Sequence, residues 1–200
     1  MKTKNILFVH IPRTAGTHLE KCLGFTGHDN PPRCGSRKYG ANYEEIMGWD
    51  SKTKIMLQHA TYKQMIQHGF VSEEQRLIKI SIVRNPYPRA VSLYRYFGGK
   101  NKHGSFEKFL FKLESGDIEG YFYMPQYKYL EGGEFNLIRF ENFKQDIESI
   151  NEKFNLNIQC DFDNSRHDNS KVSEFLTEQN IEKINNLYCK DFEVFDYTRI

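Results

Sequence analysis

Between the apolar run NILFV and the segment LEKCLGF lies HIPRTAGTH, residues 10–18. It carries one permanent cation, Arg13, and two hydroxyl donors, Thr14 and Thr17. It also has two small residues, Ala15 and Gly16, that let a backbone approach an oxyanion closely. A strand feeding such a loop into a helix gathers backbone N–H groups and the positive end of the helix dipole at one point, which suits an anion. The first Gly and the Lys-Ser/Thr pair of G-x-x-x-x-G-K-[ST] are missing, so this is not a Walker A loop. An ordinary strand-to-helix turn with a chance Arg is the alternative at this point.

A second basic constellation follows in LIKISIVRNPYPRAVSLYRYF. An apolar strand ends at Val83, Arg84 stands at its tip, and NPYP turns the chain into a helix with Arg89 and Ser92 in its first turns. Ligands of open α/β sheets collect at the carboxyl ends of strands, so Arg84 and Ser92 belong with the Arg13 loop if the two strands are neighbours. His59, in IMLQHAT, is expected at the end of another strand, and an imidazole titrates where a general base at neutral pH should. His10 reads as a hydrogen-bonded core histidine. Glu20 reads as a solvated helix-face charge, with a minor alternative as base.

The elements that must position these groups alternate. Strand-length apolar runs occur at NILFVHI, KIMLQHA, LIKISIV and FNLIRF, with helical periodicity after each, starting near Gly16, Tyr62, Pro88, Phe106 and Asn142. A last helix is expected from an N-cap at Ser173, and YFYMPQYKYL, residues 121–130, reads as a core helix. The fold class is therefore α/β: a P-loop-type, mostly parallel sheet flanked by helices, in a single domain over residues 1–200. Residues 25–54, with Gly, Pro and basic residues and no clear period, read as a substrate loop with a short helix around YEEIMGW.

Charge is nearly balanced, with 28 Lys and Arg against 26 Asp and Glu, so no global field points to nucleic acid and any basic site is local. Cys22, Cys34, Cys160 and Cys189 show no C-x-x-C or zinc-site spacing, and free thiols are the default expectation. The N-terminal apolar run is too short for a signal-peptide core or a membrane span, which favours a cytoplasmic protein.

Together the motifs resemble those of sulfotransferases that use 3′-phosphoadenosine 5′-phosphosulfate (PAPS), in particular the carbohydrate, heparan 2-O-like branch (sulfotransferase family 2). FVHIPRTAGTHLEKCL is similar to that branch's 5′-phosphosulfate loop, and ISIVRNPYPRAVSLYRYF to its 3′-phosphate segment. LIRFENFKQDI and RHDNSKVSEFLTEQNIEKINNLYCKDFEVFDY follow in the expected order, so the resemblance covers nearly the whole chain. It departs in having Arg13 for the usual Lys and His18 for the usual Ser.

The resemblance implies Arg13 and His59 as catalytic residues, His59 being the base. It places the donor on Arg13, Thr14, Ala15, Gly16, Thr17 and His18, with Arg84 and Ser92 on the 3′-phosphate. PAPS is the implied donor and 3′-phosphoadenosine 5′-phosphate (PAP) the product, with no metal expected. The implied acceptor is a hydroxyl, best a glycan, which the basic residues Arg33, Arg37 and Lys38 would meet. His167, Asn169 and Ser170 either close over the nucleotide or only cap the helix that follows. A P-loop nucleotide or nucleoside kinase, and a catalytically silent nucleotide-binding module, are the rival readings.

Overall fold

A computed structural model describes residues 6–23, 49–50, 53, 55–74, 76–162 and 171–200. Arg33, Arg37, Lys38, His167, Asn169, Ser170 and most of the expected substrate loop lie outside the described residues. Two compact units emerge: described residues up to Val83 with Lys128–Phe162, and Arg84–Tyr127 with residues 171–200.

The first unit is built on three parallel strands in the order β1 (Ile6–Val9), β4 (Ile78–Val83), β5 (Asn136–Arg139). Val9 pairs with Ser81, and Val83 with Arg139. The runs ILFV and ISIV, apolar but for Ser81, mark strands covered on both faces, and every residue of β1 is buried. Ile6 and Phe8 join a core with Ile80, Ile82 and Ile138, with Leu19 of α1 (Gly16–Cys22), and with Phe143, Ile147 and Ile150 of α7 (Phe143–Phe154). Residues 143, 147 and 150 recur at helical spacing, which places them on one face of α7.

The run KIMLQHA does not extend this sheet. Only Ile55–Met56 (β3) is strand, antiparallel to Trp49–Asp50 (β2), and Leu57–His59 forms a 3₁₀ turn. The local cause lies just downstream, where Thr61 and Gln64 form a capping box that starts α2 (Tyr62–Gln67) and ends the extended segment early. The expectation of free thiols is also overturned: Cys22 and Cys160 form a disulfide across a sequence separation of 138. Sequence spacing says nothing of a pair that only tertiary packing brings together.

In the second unit, α3 (Pro86–Tyr96) begins two residues before the expected Pro88. Asn85 accepts the Tyr87 N–H, and Pro86 fills the first helical position, where a missing N–H costs nothing. Short α4 (Gly99–His103), α5 (Phe106–Glu114), α8 (Glu178–Leu187) and α9 (Cys189–Val194) complete it, around Tyr87, Val91, Tyr94, Phe109, Ile184 and Phe192. The last long helix starts at Glu178 because Thr177, not Ser173, caps it; Ser173–Phe175 is a 3₁₀ turn. Residues 121–130 are not a continuous helix, and only Tyr127–Leu130 (α6) is helical. The Gln126 and Tyr127 N–H groups donate to the Asp191 carboxylate instead of to helical carbonyls.

Candidate active site

The loop after β1 is shaped by its backbone. Arg13 (φ 67°) and Ala15 (φ 73°) both take the left-handed conformation, which costs a residue with a Cβ about 1–2 kcal/mol. Left-handed residues at alternating positions turn successive N–H groups toward one concave side, the geometry of backbone anion nests. Ala15 caps α1 without any side-chain bond. The His18 and Leu19 N–H groups return to the Ala15 carbonyl at 2.9 and 3.3 Å. Thr14 is fully buried, and its hydroxyl donates to the Ile11 carbonyl at 2.8 Å, so it closes the turn. Thr17 is exposed.

Beneath the loop lies a buried polar cluster. His10 Nδ1 is 2.7 Å from Glu20 Oε1, and neither side chain reaches solvent appreciably. The pair joins the residue before the loop to the first helix after it. Gly16 leaves room for the His10 ring, because a Cβ on it would fall 2.1 Å from that ring and force one of the two to shift. The His59 ring stands edge-on to His10, centroids 4.6 Å apart, and its Nδ1 is 3.0 Å from the His10 carbonyl oxygen. A carbonyl only accepts, so Nδ1 carries the hydrogen and Nε2 of the neutral ring is the accepting nitrogen. His59 thus comes to His10 from a 3₁₀ turn rather than from a strand end. Glu20 is not a solvated charge, and its burial against His10 is what sequence reading missed; the ten-residue separation across a loop gave no periodic signal.

His18 departs from the donor-loop role expected of it. Its N–H is taken by Ala15, and its ring lies against Phe143 and Phe162, with centroids 6.1 and 5.0 Å away. Burial, then the neighbouring Lys21, lowers its pKa from the ordinary value, with Asp161 opposing.

β1 and β4 are adjacent parallel strands, and Arg84 follows β4 in the chain. In its own unit Arg84 is buried and its backbone is clamped: its N–H donates to Gln126 Oε1 at 2.9 Å, and Gln126 Nε2 donates to its carbonyl at 2.8 Å. Gln126 in turn donates its N–H to Asp191 Oδ2 at 2.8 Å. Burial pushes the Asp191 carboxyl up, with Arg89 and the donated hydrogen bonds opposing. Arg89 is fully buried, donates to the Met124 carbonyl at 3.0 Å and lies over the Tyr188 ring. It therefore holds the segment behind Arg84, whereas Ser92 on α3 is half-buried. Gln126 and Asp191 together hold the Arg84 backbone, a chain of contacts that no motif spacing reveals. A cavity of about 750 Å³ in this unit, lined by Tyr94, Phe106, Phe175 and Asn180 among others, contains none of the candidate residues.

A model of the sulfotransferase family matches residues 1–198. The chain belongs to the sulfotransferase family. Membership supports sulfuryl transfer to a hydroxyl as the reaction class of this transferase. No curated protein matches the chain. Among solved structures it is similar to mouse sulfotransferase SULT7A1 complexed with PAP, at 17% identity and a TM-score of 0.44, over 98% of this chain and 82% of that one. No helix among the described residues of this sulfotransferase is long and apolar enough to cross a membrane.

Proposed function

We propose that the protein moves the sulfuryl group of PAPS to a hydroxyl, with a glycan as acceptor class, and releases PAP. The observation that carries this reading is the β1–α1 loop, whose left-handed Arg13 and Ala15 shape a backbone cradle, in a chain matched throughout by the sulfotransferase family. The residues fit the donor: the loop N–H groups and Arg13 suit its 5′-phosphosulfate, while buried Arg84, with Ser92, suits the 3′-phosphate that separates PAPS from ATP. The donor, when bound, supplies the activated sulfuryl group.

The chain's own residues do the rest. The loop N–H groups and the Arg13 guanidinium oppose the charge that develops on the leaving phosphate oxygen. His59, with hydrogen fixed on Nδ1 by the His10 carbonyl, takes the acceptor hydroxyl's proton at Nε2. Arg13 in place of Lys retains the charge and presents it as a planar fork. A cytoplasmic location requires that the Cys22–Cys160 bond be reduced there, since cytosolic thiols are kept reduced.

Thermal-shift measurements with PAP, adenosine 5′-phosphosulfate and ATP-Mg²⁺ test the donor assignment. Stabilisation by PAP beyond that by ATP-Mg²⁺ is expected; stabilisation by ATP-Mg²⁺ alone would transfer the reading to a kinase.

A further inference from the structure

One cluster in the first unit lies outside the proposed chemistry. His18 and Cys22 stand four residues apart on α1, hence on one helix face, and Cys160 meets them from the segment after α7. One donor atom from each, an imidazole nitrogen and two sulfurs, lie within 4.8 Å of one another. His18 Nε2 is buried, and no hydrogen-bond partner among the described residues meets it. An imidazole nitrogen enclosed without a partner loses hydration that something must return.

We propose that in the reduced protein His18, Cys22 and Cys160 form a binding site for a soft divalent metal ion, zinc by its chemistry. Two thiolates and an imidazole are zinc's preferred donors. The edges of such a tetrahedron run about 3.5–3.8 Å, given metal–ligand bonds of about 2.0–2.3 Å. Donors already within 4.8 Å reach that geometry by side-chain rotation once the sulfur–sulfur bond is gone. All three residues are half-buried, which leaves a route of entry. A water fills the fourth position.

The chemistry balances in two steps. A reductant, either a dithiol that becomes a disulfide or a phosphine that takes oxygen from water, gives two electrons to the Cys22–Cys160 bond, and each sulfur gains a proton. Metal binding then releases both thiol protons to solvent. The same two points of the fold, α1 and the segment after α7, are thereby tied together by a disulfide in oxidising surroundings and by a metal ion in reducing ones.

The test is an anaerobic cobalt(II) titration of the full chain, oxidised and phosphine-reduced, read by absorption. The reduced protein should take one equivalent, with a thiolate-to-cobalt charge-transfer band and the visible bands of a tetrahedral site, which zinc then abolishes. The oxidised protein should show neither. Cys22→Ser and Cys160→Ser should each remove the charge-transfer signature of this site. His18→Gln should weaken binding at least about tenfold, because a direct ligand weighs no less than outer-shell partners whose loss costs about 10- to 100-fold. Absence of the band in reduced wild type, its persistence in both serine variants, or unchanged affinity in His18→Gln would overturn the proposal. If the variants do not fold, alkylation of reduced wild type with and without zinc decides. Protection of Cys22 and Cys160 beside full modification of exposed Cys189 supports the site, and equal modification of all three contradicts it.

Discussion

His59 holds its Nδ1 3.0 Å from the carbonyl oxygen of His10, the residue that directly follows β1 and leads into the loop before α1. That contact fixes the tautomer, and it ties the base assigned here to the backbone whose loop is assigned the donor. His59→Ala should therefore lower the chemical step by roughly 10²- to 10⁴-fold while PAP affinity stays near wild type. Donor affinity, melting temperature and turnover measured on one sample of the variant check this. A variant that is less stable but turns over normally per folded molecule would reduce His59 to a packing residue.

Gly16→Ala places a Cβ 2.1 Å from the His10 ring, and one of the two must move. Overpacking of this kind costs about 1–3 kcal/mol. Here it also shifts the loop, so PAP affinity should fall together with stability. Pairing it with His10→Ala should recover part of the stability loss, seen as coupling in a double-mutant cycle by urea unfolding. Additive losses would mean that the ring is not the obstacle.

The three core strands, the position of the loop between β1 and α1 and the starts of α1, α2 and α5 were legible in the sequence because each carries a local signal: a largely apolar run, small residues before a helix, or a capping residue at the right offset. KIMLQHA misled because a short apolar run does not distinguish a strand of the main sheet from a brief hairpin running into a 3₁₀ turn. The His10–Glu20 pair, the Cys22–Cys160 bond and the Asp191–Gln126–Arg84 chain were illegible for a different reason. They join residues across loops or across most of the chain, and no periodicity encodes such meetings.

Asp191 accepts the Gln126 and Tyr127 N–H groups with separate oxygens, at 2.8 and 2.9 Å. An amide at this position offers one acceptor and sets an NH₂ group against a donor. Asp191→Asn should thus cost about 1–3 kcal/mol of stability, although it removes a buried charge. It should also weaken PAP binding more than binding of adenosine 5′-phosphosulfate, because Gln126 no longer clamps the Arg84 backbone. Isothermal titration with both nucleotides checks the second effect, and equal losses would confine Asp191 to a structural role.

Burial pushes the Tyr188 phenol up to about 12 from 10.0. Between those values the unfolded chain ionises this group and the folded chain does not, so its stabilisation is intact below pH 10 and is lost as pH rises through that window. Wild type should then lose about 1 kcal/mol more per pH unit there than Tyr188→Phe, by urea midpoints. Parallel losses in the two proteins would contradict the assignment.

The central claim, sulfuryl transfer from PAPS, is tested most directly by incubating the purified protein with sulfur-labelled PAPS and a panel of hydroxyl acceptors, and counting label on each acceptor beside an Arg13→Ala control. Label is expected on at least one acceptor, with carbohydrates foremost. The control should react about 10²- to 10³-fold more slowly, the usual cost of losing one preorganised oxyanion donor. Label on no acceptor across the panel while PAP still binds, or equal labelling by wild type and Arg13→Ala, would contradict it.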